Sequence, residues 1–532
     1  MGKPDRSPVA PAFLALIRKD FSRRAALAAI LALAAALRLH RLPEQSLLLY
    51  DEGYLVMEAQ SIRTIAGGIA GGADSRLILG KAVKNSWALF AKPAHNFALA
   101  TALTLEPRGD QATLALSAIA GVLCVWATFL LGQALFGWNA GILSALILAI
   151  SPYHLLYSRS GLSDSITILF WVAALWAWIR GGKYSSVVSG IAGGICVASN
   201  YREIFIPAVF LALAIRETGG KNLRAVAVNF AGWLGGFLAV MLGFESAYRI
   251  AEAVSGASFP NGTYAGQMAN LLAVHGSQGF RFAGWPAFFR YMVEWEGWMS
   301  LAWLAAAAVF QFRRRRGNNG AFAIAILLPW LLFSAYWDNA SRFFSIIIPL
   351  VAILKGRWLE EGWRFIRDRS GTAMATGLAA ALLLTVLPHV RPMVPRQTPY
   401  AAAAKILADS GNPLHFSTNP WIGNAILGPG SSAPFPPDKR MMARWGKARF
   451  AVTDLQALFG GFYQPEERYE TAGWVARHYA VILSEPYSPG SLRQYIFEQD
   501  LDFQGALKLL KEFDGGTPSL KLFDLTRPAG KR

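Results

Sequence analysis

The chain is poor in charge and has almost no cysteine. Only 16% of its 532 residues are Asp, Glu, Lys or Arg, and it holds two cysteines and seven histidines. Cys124 and Cys196 both lie inside apolar runs without metal or redox spacing, which excludes a disulfide framework and a Cys/His zinc site. The Gly pairs of "AGGIAGGADSR" follow no strand-like run, so they do not form a nucleotide-binding fingerprint. There is no internal repeat, and no low-complexity tract beyond the first residues. Acid is scarcer than base, 33 residues against 51, giving a formal charge of +18. A concentrated basic face would suit nucleic acid, but these cations sit in short clusters between apolar runs, and nucleic acid is therefore not an expected partner.

What is plentiful is hydrocarbon. Hydrophobic residues make up 54% of the chain, and mean hydropathy is positive, outside the range of a soluble domain. A bilayer core needs roughly 20 apolar residues per helix, and runs of that order give about eleven spans. They fall at residues 24–41, 112–133, 138–153, 164–181, 185–199, 203–216, 225–244, 297–312, 320–336, 342–355 and 372–389. The first is preceded by Arg and Lys and has no small-residue cleavage site, so it reads as a retained anchor. If "IRKDFSRR" is cytoplasmic, then "RGGKYSS", "RETGGKNLR", "RRRRGNNG" and "KGRWLEEGWRFIRDRSG" fall on the same side, as the positive-inside rule requires. The expected protein is thus an all-α polytopic protein of the cell (inner) membrane with a cytoplasmic N-terminus.

On that topology the opposite face collects the reactive side chains. "SLLLYDEGYLVMEA" puts Asp51 and Glu52 at the exit of the first span, at the start of an amphipathic helix in which Tyr54, Leu55, Met57, Glu58 and Ile62 recur at helical spacing. Carboxylates are well placed at a helix N-terminus. "FAKPAHNFALATAL" adds Lys92 and His95 around a helix-opening proline. "SPYHLLYSRSGLSDSITILF" adds Arg159 and Asp164, the latter equally readable as a helix cap. "ASNYREIFIPAVF" sets Arg202 and Glu203 between two spans, where an ion is costly enough to be a functional candidate. "AYWDNASRFFSIIIPL" brings Asp338 and Arg342.

The order of "RLHRL", "DEGY", "KPAH", "SPYHLLYSRSGLSDS", a cation between the fifth and sixth spans, and "SRFFSIIIPL" resembles glycosyltransferase family 39 and the related lipid A aminoarabinose transferases over about the first 350 residues. The resemblance implies the C-type membrane glycosyltransferase fold and a polyprenyl-phosphate sugar donor on the non-cytoplasmic side. The acceptor would be a lipid, glycan or protein. Asp51 matches the family's first-loop acid, with Glu52 beside it to orient the acceptor or bind a metal, and Asp164 is a third catalytic candidate. Lys92, Arg202 and Arg342 match basic positions that approach the lipid phosphate, with Arg159 an additional candidate, and Tyr54 and His95 are candidates for substrate contact. Transfer with inversion needs a base for the acceptor hydroxyl and cations for the departing phosphate, which these residue types supply. No cofactor is required by the pattern. A divalent cation, Mg or Mn, stays open, because Ala91 stands where some relatives have an acid before the Lys-Pro pair. The alternative is a transporter or lipid flippase, which would more often carry mid-membrane ions and related halves.

Residues 1–390 are expected to form the transmembrane domain and residues 391–532 a small extracytoplasmic α/β domain. "YAAAAKILADSG" reads as a helix, and "LHFST", "RFAVTD", "YAVILSE" and "LKLFDL" as strands between Gly and Pro turns. Asp454, Glu466 and His478 are scattered singly there and read as solvated. "NGT" at Asn261 reads as an accidental sequon.

Overall fold

The computed structural model describes residues 9–85, 92–218, 222–277, 279, 284–313, 319–336, 340–393, 398–411, 413–440, 448–458, 466–499 and 501–529. Asp338 and Ala91 lie outside the described residues. Helices dominate, and prolines start many of them. Pro93–Leu105, Pro152–Ser158, Ile206–Glu217, Ile348–Ser370, Pro420–Leu427 and Pro489–Glu498 all carry Pro at the first or second position, where its missing N–H costs nothing and its fixed φ suits the turn. A "P" in an apolar run therefore often marks a helix start, although Pro329 lies inside Asn319–Ala335.

Every stretch read as a span is helical. Among the described residues, however, only Ser22–Glu44, Gly109–Phe136, Leu223–Ser255 and Thr372–Val390 are long and apolar enough to cross a membrane. A fifth is obtained if Trp138–Ile150 and Pro152–Ser158, bent by 64°, count as one. The others are interrupted or short. Asp164–Arg180 has 17 residues, and the stretches at 203–216 and 342–355 begin as 3-10 turns, Tyr201–Phe205 and Ser341–Ile347. Asp164–Arg180 and Ile206–Glu217 fall below the roughly 20 residues of a straight span, and Ile348–Ser370, with 23 residues, is heavily charged in its later part. Leu223–Ser255 exposes Val228, Leu242 and Ile250, an apolar outer surface suited to hydrocarbon.

Gly109–Phe136 is the central helix. It packs on Val9–Leu39, Trp138–Ile150 and Asp164–Arg180, and Ser185–Ser199 lies between Asp164–Arg180 and Leu223–Ser255. Cys124 and Cys196 are buried free thiols in this bundle. The Gly pairs of "AGGIAGGADSR" lie at the end of helix Tyr50–Ala70 and in the turn before helix Ser75–Asn85.

The segment after Pro392 carries a five-stranded mixed sheet of order β2-β1-β3-β5-β4, with β1 His415–Ser417, β2 Ser432–Pro434, β3 Phe450–Thr453, β4 Tyr479–Pro486 and β5 Ser519–Pro528. β1 is parallel to β2 and β3, and β5 is antiparallel to β3 and β4. The four strands read from sequence are present. β2 was missed because "SAP" has no apolar alternation, and as an edge strand it tolerates Pro434. Asp454 departs from the solvated reading. It is buried and accepts hydrogen bonds from Thr418 Oγ1 (2.6 Å), Tyr400 Oη (2.7 Å) and Gln456 N (2.9 Å), so it braces the sheet. Glu466 is exposed, and His478 stacks on Trp474 at 4.6 Å.

This segment is clamped to the helices. Pro420–Leu427 packs on Tyr50–Ala70, with Tyr50 edge-on to Trp421 at 6.2 Å. A Cβ at Gly53 would stand 2.6 Å from Ile422 N, so only glycine lets the two backbones approach this closely. Ser46 N donates to Thr398 Oγ1 at 2.6 Å and Gln60 Nε2 to Ala425 O at 3.0 Å.

Candidate active site

Asp51 lies in the first turn of Tyr50–Ala70. Its Oδ2 accepts from Arg342 Nη1 at 2.5 Å. Arg342 enters from the 3-10 turn Ser341–Ile347, whose place is set by Tyr153 Oη donating to Ser341 O at 2.6 Å and by Tyr157 meeting the Ser341 hydroxyl. Behind this pair, Arg202 Nη2 donates to Asp164 Oδ1 at 2.7 Å while its Nε donates to Asn200 Oδ1 at 3.0 Å. Phe343 contacts both guanidiniums, with Arg202 4.4 Å and Arg342 5.9 Å from its ring centroid, a cation–π arrangement. The Asp164–Arg202 side chains are 4% and 9% exposed against 21% and 19% for Asp51–Arg342. The outer pair is therefore where the site opens. Asp164 is an ion-pair partner and not a helix cap.

Lys92 precedes Pro93–Leu105 as its cap residue. Burial lowers its ammonium to about 8, opposed by Asp51 and reinforced by Arg202 and Arg342, which places it in the same electrostatic cluster. Among the described residues no carboxylate pairs with it. Burial also pushes Asp51 upward, but Arg342 and Lys92 outweigh it and hold the carboxyl below the ordinary range. Asp51 is thus ionised, as a base must be.

The sixth charge was missed by the sequence reading. Glu498, at the end of Pro489–Glu498 in the C-terminal segment, puts Oε2 3.3 Å from Arg342 Nε and accepts from Tyr157 Oη at 2.6 Å. Burial raises it to about 7 against the pull of Arg342 and Tyr157. In "GSLRQYIFEQD" it looks like one acid of an amphipathic surface helix, and only the tertiary packing turns it inward.

Two candidates are committed elsewhere. Glu52 is 1% exposed, and its Oε2 accepts from Leu48 N (2.5 Å) and Leu49 N (2.9 Å) while Oε1 accepts from Gly161 N (2.7 Å). It reaches back as the acidic half of a capping box and ties two loops together. Gly161 permits this approach, since a Cβ there would stand 2.9 Å from Thr113 Cγ2 and 3.2 Å from Glu52 Cβ. Arg159 Nη1 donates to Leu37 O (2.9 Å) and Arg38 O (2.7 Å), and Nη2 to His40 O (3.0 Å). That guanidinium closes the end of the first helix, whose last carbonyls lack intrahelical partners.

His95 and Tyr54 belong to a buried polar group beside the site. His95 Nδ1 is 3.2 Å from Asn96 Oδ1, Asn96 Nδ2 donates to Glu58 Oε2 at 2.9 Å, and Tyr54 lies close enough to Glu58 to act on its carboxyl. Burial lifts Glu58 to about 8, opposed by Tyr54, Asn96 and Lys92, and lowers His95 to about 4. Glu203 is buried next to Arg202.

The carboxylates do not form a metal cradle. Asp51 and Glu498 face Arg342, Asp164 faces Arg202, and Glu52 is occupied by backbone amides. Among the described residues no three His, Cys, Asp or Glu are grouped to hold an ion.

A sequence profile of the family described as Dolichyl-phosphate-mannose-protein mannosyltransferase matches residues 91–244, which carry Lys92, His95, Arg159, Asp164 and Arg202. The resemblance read from the sequence motifs holds. No curated protein sequence matches the chain. Solved structures that share the fold include the following three. Archaeal oligosaccharyltransferase AglB from Archaeoglobus fulgidus, in complex with an inhibitory peptide and a dolichol-phosphate, aligns with a TM-score of 0.56 at 12% identity, over 95% of this chain and 88% of its own. ArnT from Cupriavidus metallidurans bound to undecaprenyl phosphate gives 0.55 at 14% identity, over 80% and 92%. The Archaeoglobus fulgidus oligosaccharyltransferase in complex with Zn and sulfate gives 0.54 at 13%, over 87% and 72%. The fold is that of the C-type membrane glycosyltransferases.

Proposed function

We propose that the chain is a membrane glycosyltransferase that moves a sugar from a polyprenyl-phosphate carrier to a lipid, glycan or protein hydroxyl on the non-cytoplasmic face. The observation that carries this reading is the meeting of Lys92, Arg202 and Arg342 around Asp51, from four separate segments. Two guanidiniums and an ammonium suit a phosphate, and the ionised Asp51 at their open edge suits a hydroxyl proton. Support also comes from the family profile and from relatives bound to dolichol-phosphate and undecaprenyl phosphate.

In the proposed reaction Asp51 accepts the acceptor's proton as its oxygen attacks the anomeric carbon from the face opposite the phosphate. The carbon–oxygen bond to the phosphate breaks, its electron pair stays on the phosphate, and the anomeric configuration inverts. Lys92, Arg202 and Arg342 hold the charge that develops there. Asp164 keeps Arg202 oriented. Tyr54 and His95 line the neighbouring polar group and are proposed to meet the substrate. Glu52 and Arg159 are proposed to hold the loops. The residues do not fit a divalent ion, and no step is routed through one.

The test is release of free polyprenyl phosphate from a polyprenyl-phosphate sugar by the purified protein in lipid nanodiscs with membrane extract as acceptor source. Release that depends on Asp51 and Lys92 supports transfer. Passage of the intact lipid-linked sugar across vesicle membranes, without cleavage, would instead identify a flippase.

A further inference from the structure

Arg342 is shared by two carboxylates on different parts of the chain. Nη1 makes a short hydrogen bond to Asp51, whereas Nε lies 3.3 Å from Glu498 Oε2 without the alignment of a hydrogen bond. Glu498 itself is anchored, since Tyr157 Oη donates to its other oxygen at 2.6 Å and also meets Ser341, the neighbour of Arg342. The Glu498 side chain is only 2% exposed, so above its value of about 7 its charge acts on Arg342 with little screening. It is a fixed acid facing a cation that the phosphate also needs.

Charge changes during transfer give this competition a purpose. A sugar-linked polyprenyl phosphate is a diester with one negative charge, and the product monoester carries up to two. Three cations would therefore hold the product more tightly than the donor, and slow release limits many enzymes. We infer that Glu498 is a positioning residue, supplied by the C-terminal segment, that competes with the lipid phosphate for Arg342 and so weakens the hold on the product. This rests on the proposed donor site. Glu498 meets Arg342 at Nε and Asp51 meets it at Nη1, so the two carboxylates act on different nitrogens of one guanidinium.

The experiment measures the affinity of undecaprenyl phosphate for the full-length protein in detergent micelles. Loss of the competing charge in Glu498→Gln is expected to tighten binding about fivefold or more, the lower end for coupling between two ligands of one group. A residue that only shapes the site would give the opposite sign, so weaker or unchanged binding overturns the inference. Glu498→Asp draws the acid back from Arg342 while keeping its charge, and should tighten binding less. If Glu498→Gln does not fold, the sign found with Glu498→Asp decides. Lys92→Ala separates the two readings. If it fails to weaken binding, the donor site itself is wrong; if it weakens binding while both Glu498 variants do not tighten it, only the competition is wrong.

Discussion

Glu52 Oε1 accepts the Gly161 backbone N–H at 2.7 Å, joining the start of one helix to a loop more than a hundred residues later. Its neighbour Asp51 meets Arg342 instead. Adjacent positions on a helix differ by about 100° in direction, so two acids that look equivalent in "YDEGY" serve different structures. Glu52→Gln replaces an acceptor with an amide facing backbone donors. It should cost about 1–3 kcal/mol, as for a buried group left unsatisfied, read as a fall in melting temperature. The folded fraction should bind undecaprenyl phosphate as the wild type does.

Asp51→Asn should behave in the opposite way. It is nearly isosteric and keeps an oxygen for Arg342, so folding should survive. Turnover should fall by about 10²-fold to 10⁴-fold, the range for a lost general base. Wild-type turnover in a stable Asp51→Asn protein would remove Asp51 from the chemistry.

Lys92 predicts a pH dependence. Its ammonium loses its proton at about 8 in the empty site, and a bound phosphate favours the charged form. Below that pH the charge is already present. Above it, binding must take up a proton, so affinity for undecaprenyl phosphate should fall by up to about tenfold per pH unit. Lys92→Arg keeps its charge throughout and should flatten the curve.

Glu58 predicts a pH-dependent stability. Its folded value of about 8 lies above the ordinary 4.5, so the folded state holds the proton more tightly than the unfolded chain. The stability it contributes is complete below about pH 4 and is lost as the pH rises through 8. Glu58→Gln should flatten the fall in melting temperature across that window, and an unchanged slope would rule Glu58 out as its source.

The positions of Lys92, Arg202 and Arg342 were legible because charges at the breaks between apolar runs are expensive and hence conspicuous. Asp51 was legible for the same reason. Arg159 was equally conspicuous but is used up on the carbonyls of Leu37, Arg38 and His40, which no local pattern announces. Glu498 was invisible because a polar helix in a mixed α/β segment gives no sign of which face it buries. The helical character of every apolar run was readable, whereas the number of crossings was not, since 3-10 turns and a 64° bend divide runs whose composition looks continuous.

The position of Glu498 along the chain also orders events during synthesis. The segments with Asp51, Lys92, Asp164, Arg202 and Arg342 all emerge earlier, and the helix ending at Glu498 belongs to a segment whose sheet is held together by β5, Ser519–Pro528, pairing with both β3 and β4. A nascent chain thus holds all the residues of its helical bundle before it holds Glu498, the carboxylate that meets Arg342. A chain that stops before β5 would already carry Glu498 and every residue matched by the family profile, yet lack the strand that joins β3 to β4.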